Sequence, residues 1–120
     1  MVSNRKIGDA GEDIARQYLI KSGYEILDTN WYHGHLEIDI VAREDTELVI
    51  TEVKSRNGNH YEHPSEAITK NKIKRIVNAA EAYIFEKNIN IETRFDVITV
   101  IFLGDSFELE HFKNAFYPTI

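Results

Sequence analysis

The period of the apolar residues changes several times along the chain. Between residues 10 and 22, Ile14, Tyr18 and Leu19 fall on one stripe at the helical period and Gly23 supplies a stop, which predicts a first helix. Residues 24–32, 36–43 and 47–55 are rich in Val, Ile, Thr and aromatic side chains and predict three strands. A loop holding Asn57-Gly58-Asn59 and Pro64 follows. A second helix is expected from an N-cap at Ser65 to about Lys87, with Ile73, Ile76, Val77, Ala80 and Ile84 as its apolar face. Residues 93–103 and 107–112, joined at Gly104-Asp105, predict a closing hairpin. The order α-β-β-β-α-β-β points to an α/β or α+β sheet flanked by helices and away from a doubly wound nucleotide fold.

Length and composition narrow this picture. A chain of 120 residues, 42% hydrophobic and 28% charged, suits one domain over 1–120 with one core. No repeat or low-complexity linker marks a second. With no cysteine, disulfides, thiolate zinc sites and cysteine nucleophiles are excluded. Met1-Val2-Ser3-Asn4-Arg5-Lys6 leads into no long apolar stretch, and the most apolar run, residues 97–103, is too short to span a bilayer. A soluble, cytoplasmic protein with no membrane partner is the expectation.

Net charge is −6, which argues against coating nucleic acid by bulk electrostatics. The charge is uneven. Residues 54–75 hold Lys54, Arg56, Lys70, Lys72, Lys74 and Arg75 against Glu62 and Glu66, so this segment is +4 and the remainder −10. A local face for an anionic ligand fits that asymmetry, as does a solvated helix surface.

The chemistry concentrates in two strands. Strict alternation places Glu37 and Asp39 on one face, away from Leu36, Ile38 and Ile40, and places Glu52 and Lys54 together on the next strand. A two-residue turn at Asp45-Thr46 sets Asp39 opposite Glu52 and Glu37 opposite Lys54. Neighbouring carboxylates repel unless a positive charge lies between them, and Lys54 or a divalent cation would supply it. Oxygen ligands with open water positions suit Mg²⁺ or Mn²⁺ better than zinc. Ordinary cross-strand ion pairs on a solvated face are the plainer reading of the same residues.

Asp39, a gap of twelve residues, then Glu52-Val53-Lys54 resembles the D-x(n)-E-x-K signature of PD-(D/E)xK restriction-endonuclease-like nucleases. The wider chain resembles the YraN family of small bacterial proteins. The matching stretches are Gly11-Glu12 with Ala15, Tyr18 and Leu19; Gly23-Tyr24 with Ile26, Leu27 and Asn30; Glu37-Ile38-Asp39; and Glu52 through Arg56. They continue with Pro64 through Ala67-Ile68, Lys72, Arg94-Phe95-Asp96-Val97 and Asn114-Ala115-Phe116. Leu36 stands where many relatives have Gly, and Tyr32 where many have Arg. The layout is also similar to archaeal Holliday-junction resolvases.

These resemblances imply a restriction-endonuclease-like domain with Asp39, Glu52 and Lys54 catalytic. Glu12, Asp39, Glu52 and the Val53 carbonyl would hold Mg²⁺ or Mn²⁺, while Lys54 positions the attacking water and stabilises the phosphoryl transition state. Arg56, Lys72 and Arg75 are candidate phosphate contacts. The implied substrate is DNA, including branched or junction forms. The rival class is a non-catalytic nucleic-acid-binding or protein-interaction module, and the small acidic chain leaves room for a protein partner or a second copy. His60-x-x-His63 reads as a loop and not a zinc site, His33 and His35 as turn residues, and Trp31 and Phe95 as core.

Overall fold

A computed structural model describes residues 4–58 and 68–118, with side chains from residue 6 onward. Its elements are α1 (Asn4–Lys21), β1 (Glu25–His33), β2 (Leu36–Glu44), β3 (Glu47–Asn57), α2 (Lys70–Lys87), β4 (Glu92–Leu103) and β5 (Ser106–Phe112). The expected order α-β-β-β-α-β-β is the order observed. Ser65 and the His60/His63 pair lie outside the described residues.

The five strands form one sheet in sequence order, β1 to β5. All neighbours are antiparallel except β3 and β4, which run parallel from Glu47↔Glu92 to Asn57↔Phe102. A parallel pair needs a long crossover, and α2 supplies it. The pair is covered on both faces, which explains why β4 reads as a nearly unbroken apolar run and not as an alternation.

The helices cover opposite faces. Ala15 and Leu19 of α1 pack with Ile40, Ala42, Val49, Val53, Ile98 and Val100. Ile76, Ala79, Ala80 and Tyr83 of α2 pack with Ile38, Val41, Leu48, Ile50 and Phe95. Each fully buried aliphatic side chain contributes about 1.5–3 kcal/mol by area. Phe95 is core as expected, whereas Trp31 is only partly buried at the edge of the α2-side cluster.

Three local expectations need correction. Helix α1 begins at Asn4, about two turns earlier than the pattern suggested, with Gly8 and Gly11 inside it. Gly11 is required there because a Cβ would collide with Ser55 Oγ, so its absence lets α1 lie close against β3. Helix α2 begins at Lys70: Thr69 is extended (φ −77°, ψ 162°) and its hydroxyl accepts from the Lys72 N–H at 3.2 Å. A helix running on from Ser65 would need Thr69 helical. The buried face of α2 is also rotated, taking in Ala79 and Tyr83 while Ile73, Val77 and Ile84 are half-buried.

The third correction bears on the site. Ile38 packs on the α2 side and Ile40 on the α1 side, so the alternation of β2 breaks at Asp39. Across the sheet, Asn30 of β1 lies between the pairs Thr29↔Ile40 and Trp31↔Ile38 and is left-handed, with φ 47°. An Asn tolerates that conformation better than other non-glycine residues.

At the far end of the sheet, a buried charge network ties β4 to β5. Asp96 is fully buried and accepts from both sides of the Arg94 guanidinium at 2.9 Å, lies 2.7 Å from His111 Nε2, and accepts from the Asn114 N–H. Arg94 also reaches Glu44, Glu47 and the Tyr24 hydroxyl. Burial pushes the Asp96 carboxyl upward, but its partners outweigh that and hold it below its ordinary range.

Candidate functional site

The β2–β3 hairpin turns at Asp45-Thr46, with Asp45 left-handed (φ 52°) and Glu44 paired to Glu47. That is the expected register, in which Asp39 faces Glu52. The ladder, however, ends one step earlier at Ile40↔Thr51. Beyond it the Asp39 carboxylate replaces the backbone partner, with its Oδ2 accepting from the Val53 N–H at 2.8 Å. N–H and C=O of one strand residue point to the same edge, so the Val53 carbonyl also points past the end of the ladder.

Three carboxyl groups meet there in sequence. Glu12, on the buried side of α1, lies beside Asp39 and Asn30, and Asp39 lies beside Glu52. Burial, and then the charge of Glu52, push the Asp39 carboxyl up to about 9, so at neutral pH it keeps its proton and can offer it to Glu52. Burial, and then Glu37, raise Glu12 as well. Glu37 is next to Ile38, which packs on the α2 side, and turns to the α1 side, where Glu12 feels both it and Asp39; Glu37 also borders the larger hollow that ends at Glu52.

Lysines complete the arrangement. Lys72 Nζ is 2.8 Å and Lys54 Nζ 3.7 Å from the same Glu52 oxygen. The expected partner of Lys54, Glu37, is not the one it meets. Burial and the adjacent Lys72 ammonium pull Lys54 down to about 8 against the attraction of Glu52. For Lys72 burial acts the same way, but its hydrogen bond to Glu52 outweighs it and the group is raised. Arg56 adds to the positive field on Lys54 and donates to the Ser55 carbonyl at 3.1 Å. Arg75 donates to the His35 carbonyl at 3.3 Å, tying α2 to the β1–β2 turn, where Gly34 is left-handed.

The sequence thus pointed to Glu12, Asp39, Glu52 and Lys54, which lie together, and to Lys72 as a phosphate contact. It did not reveal Lys72 as the nearest partner of Glu52, nor Asn30 as a support for Glu12. An Asn amid strand-forming residues was the available signal for the latter. Among the described residues, no group of three His, Cys, Asp or Glu side chains is placed to hold a metal ion as it stands. The donor chemistry nevertheless suits a hard cation: the groups are all oxygen and partly dry, and burial with the charge of Glu52 favours the protonated form of Asp39, a cost that a bound cation would relieve.

A five-stranded mixed sheet between two helices, with an Asp and a Glu-x-Lys meeting where β2 and β3 part, defines a restriction-endonuclease-like α/β protein. A family model described as "Uncharacterised protein family UPF0102" matches residues 11–100. UPF0102 proteins of Bacteroides thetaiotaomicron and Bacteroides fragilis are 46% and 45% identical over 120 residues, covering 100% of this chain and 99% of theirs. One from Clostridium beijerinckii is 43% identical over 116 residues, 94% of each chain. The chain belongs to the UPF0102 (YraN) family. No helix among the described residues is long and apolar enough to cross a membrane.

Proposed function

We propose that the protein is a metal-dependent endonuclease hydrolysing DNA phosphodiester bonds. The observation that carries this reading is the contact of Asp39 with Glu52 at the end of the β2–β3 ladder, with a half-buried Lys54 beside it drawn down to about 8. Asp39, Glu52 and the Val53 carbonyl would hold Mg²⁺ or Mn²⁺, with Glu12 contributing from α1. Such an ion, when bound, supplies Lewis-acid stabilisation of charge on the phosphate. Lys54, near its midpoint at mildly alkaline pH, is able to orient a water and to share its proton as the leaving oxygen departs. Lys72, Arg56 and Arg75 would place the phosphates.

Single-turnover cleavage of linear, flapped and four-way DNA in Mg²⁺ or Mn²⁺, with EDTA as control, tests the proposal. Lys54→Ala should lower the chemical rate about 10²–10³-fold with little change in DNA affinity measured in Ca²⁺. Lys72→Ala should instead weaken binding and reduce its salt dependence by about one unit. Absence of metal-dependent cleavage on every substrate would refute the reading. A non-catalytic nucleic-acid-binding or protein-interaction module is then favoured, and the 2.8 Å Lys72–Glu52 pair, which occupies a carboxylate the metal needs, is the observation on its side.

A further inference from the structure

The larger hollow, an α2-side groove with Lys72 and Arg75 on its wall, already has an occupant in the proposed substrate. The two edges of the sheet are a different matter, and they are unlike each other. β1 is an irregular edge: its pairing to β2 shifts register between Ile26 and Asp28, and Asn30 is left-handed. Irregularities of this sort keep an edge from accepting another strand. β5 has neither. Its pairing to β4 runs unbroken from Val97↔Phe112 to Leu103↔Ser106, and among the described residues no strand covers its outer side. A regular edge strand presents outward N–H and C=O groups to any chain that lies alongside.

The side chains of β5 divide by face. Leu109 packs with Phe102 at the margin of the α1-side core, and Phe107, paired to Phe102, is on the same side with 49% of its surface exposed. Glu108 and Glu110, paired to Ile101 and Thr99, are on the other face. The edge is therefore apolar on one face and acidic on the other, and that pattern selects its partner. In every face-matched register that pairs most of β5 with β5 of a second copy, a Glu stands directly opposite a Glu, and like charges so placed repel. A strand with Lys or Arg at those positions meets complementary charge instead, and its intervening apolar residues meet Phe107 and Leu109.

We propose that the β5 edge docks an extended segment of another protein in which apolar residues alternate with Lys or Arg, adding that segment to the sheet. Main-chain hydrogen bonds supply the affinity and the alternation of side chains the specificity. β4 separates β5 from β3, so the docked segment leaves Glu52 and Lys54 open. The inference stands whether or not the protein cuts DNA.

The probe is a fluorescein-labelled Val-Lys-Val-Lys-Val-Lys-Val peptide, read by anisotropy, and its control is a peptide of the same composition with the lysines in one block. The alternating peptide should bind about tenfold more tightly, and its binding should slow amide hydrogen exchange in residues 106–112. Glu108→Lys should weaken it about tenfold and Phe107→Ser about fivefold. Both positions are exposed, so the variants keep the fold, which circular dichroism checks. Equal affinity for the block peptide would mean that charge alone attracts it, and overturns the inference. Protection confined to α1, or no binding at millimolar peptide, does the same. So does a dimer of the protein alone, seen in sedimentation and dissolved by Phe107→Ser, which would give the edge to a second copy.

Discussion

Replacing Asp39 by Asn should stabilise the metal-free protein. The native carboxyl is raised from 3.8 to about 9 by burial and by Glu52, so between those values the folded state holds a proton that the unfolded chain releases. Raising the pH through this interval therefore favours unfolding, and the penalty is absent below about pH 4 and complete above about pH 9. At pH 7 the separation from 3.8 is roughly three units, which at about 1.36 kcal/mol each gives an upper bound near 4 kcal/mol. Relaxation of Glu52 and water at the open hollows reduce that, and we expect a gain of about 2 kcal/mol. Asn keeps the geometry of a protonated Asp: its Oδ1 can accept from the Val53 N–H and its Nδ2 can donate to Glu52. For a domain of this size 1 kcal/mol moves Tm by about 3–5 °C, so the variant should melt about 6–10 °C higher. The assay is thermal and urea unfolding in EDTA from pH 4.5 to 7, where Lys54 stays mostly protonated. The advantage of Asp39→Asn should grow with pH across this range. Lower stability of the variant at pH 7, or an advantage independent of pH, would refute a dry, uncompensated carboxyl and restore the view of Asp39 as an ordinary exposed partner.

Two further outcomes follow from the same structure. Mn²⁺ at about tenfold its Kd should raise unfolding free energy by roughly 1.4 kcal/mol, and Glu52→Ala should abolish the gain; a melting curve unchanged across millimolar Mn²⁺ and Mg²⁺ would contradict a metal site. Asp96→Ala leaves Arg94 buried without its bidentate partner and should cost about 3–5 kcal/mol by urea unfolding. Because Asp96 is held below 3.8, its contribution should be present at neutral pH and disappear as acid titrates the native carboxylate, so the two proteins should converge in stability at low pH.

The sheet was readable because its signals were local. The turn at Asp45-Thr46 fixes a register that places Asp39 against Glu52, and apolar runs mark β3 and β4 though not their parallel pairing. What escaped is what depends on packing between elements. Alternation predicted a common face for Ile38 and Ile40, but Asp39 reaches across to the Val53 N–H, and β2 turns over where a side chain replaces a ladder bond. The polar start of α1, with Gly8 and Gly11, looked unlike a helix by propensity. It forms because Gly11 admits the close approach to Ser55 that sets Glu12 beside Asp39, a tertiary cause that outweighs local preference. The start of α2 was misplaced for a simpler reason: Ser65 and Thr69 are both good caps, and nothing in the apolar stripe distinguishes them.

The charges of the site compensate one another internally. Asp39 keeps a proton, Lys72 sits on Glu52, and Lys54 is drawn toward neutrality by the same Lys72. Each of these would have to yield before Asp39 and Glu52 could serve a cation together: Asp39 must lose its proton, and Lys72 must leave Glu52. A phosphate in the α2-side groove offers Lys72 another anion at the position where it is needed for binding. Substrate and cation therefore favour each other's arrival on the proposed reading, since the first removes a competitor from Glu52 and the second discharges the repulsion that keeps Asp39 protonated. On that reading the affinity for a divalent ion alone should rise with pH toward 9, as Asp39 gives up its proton.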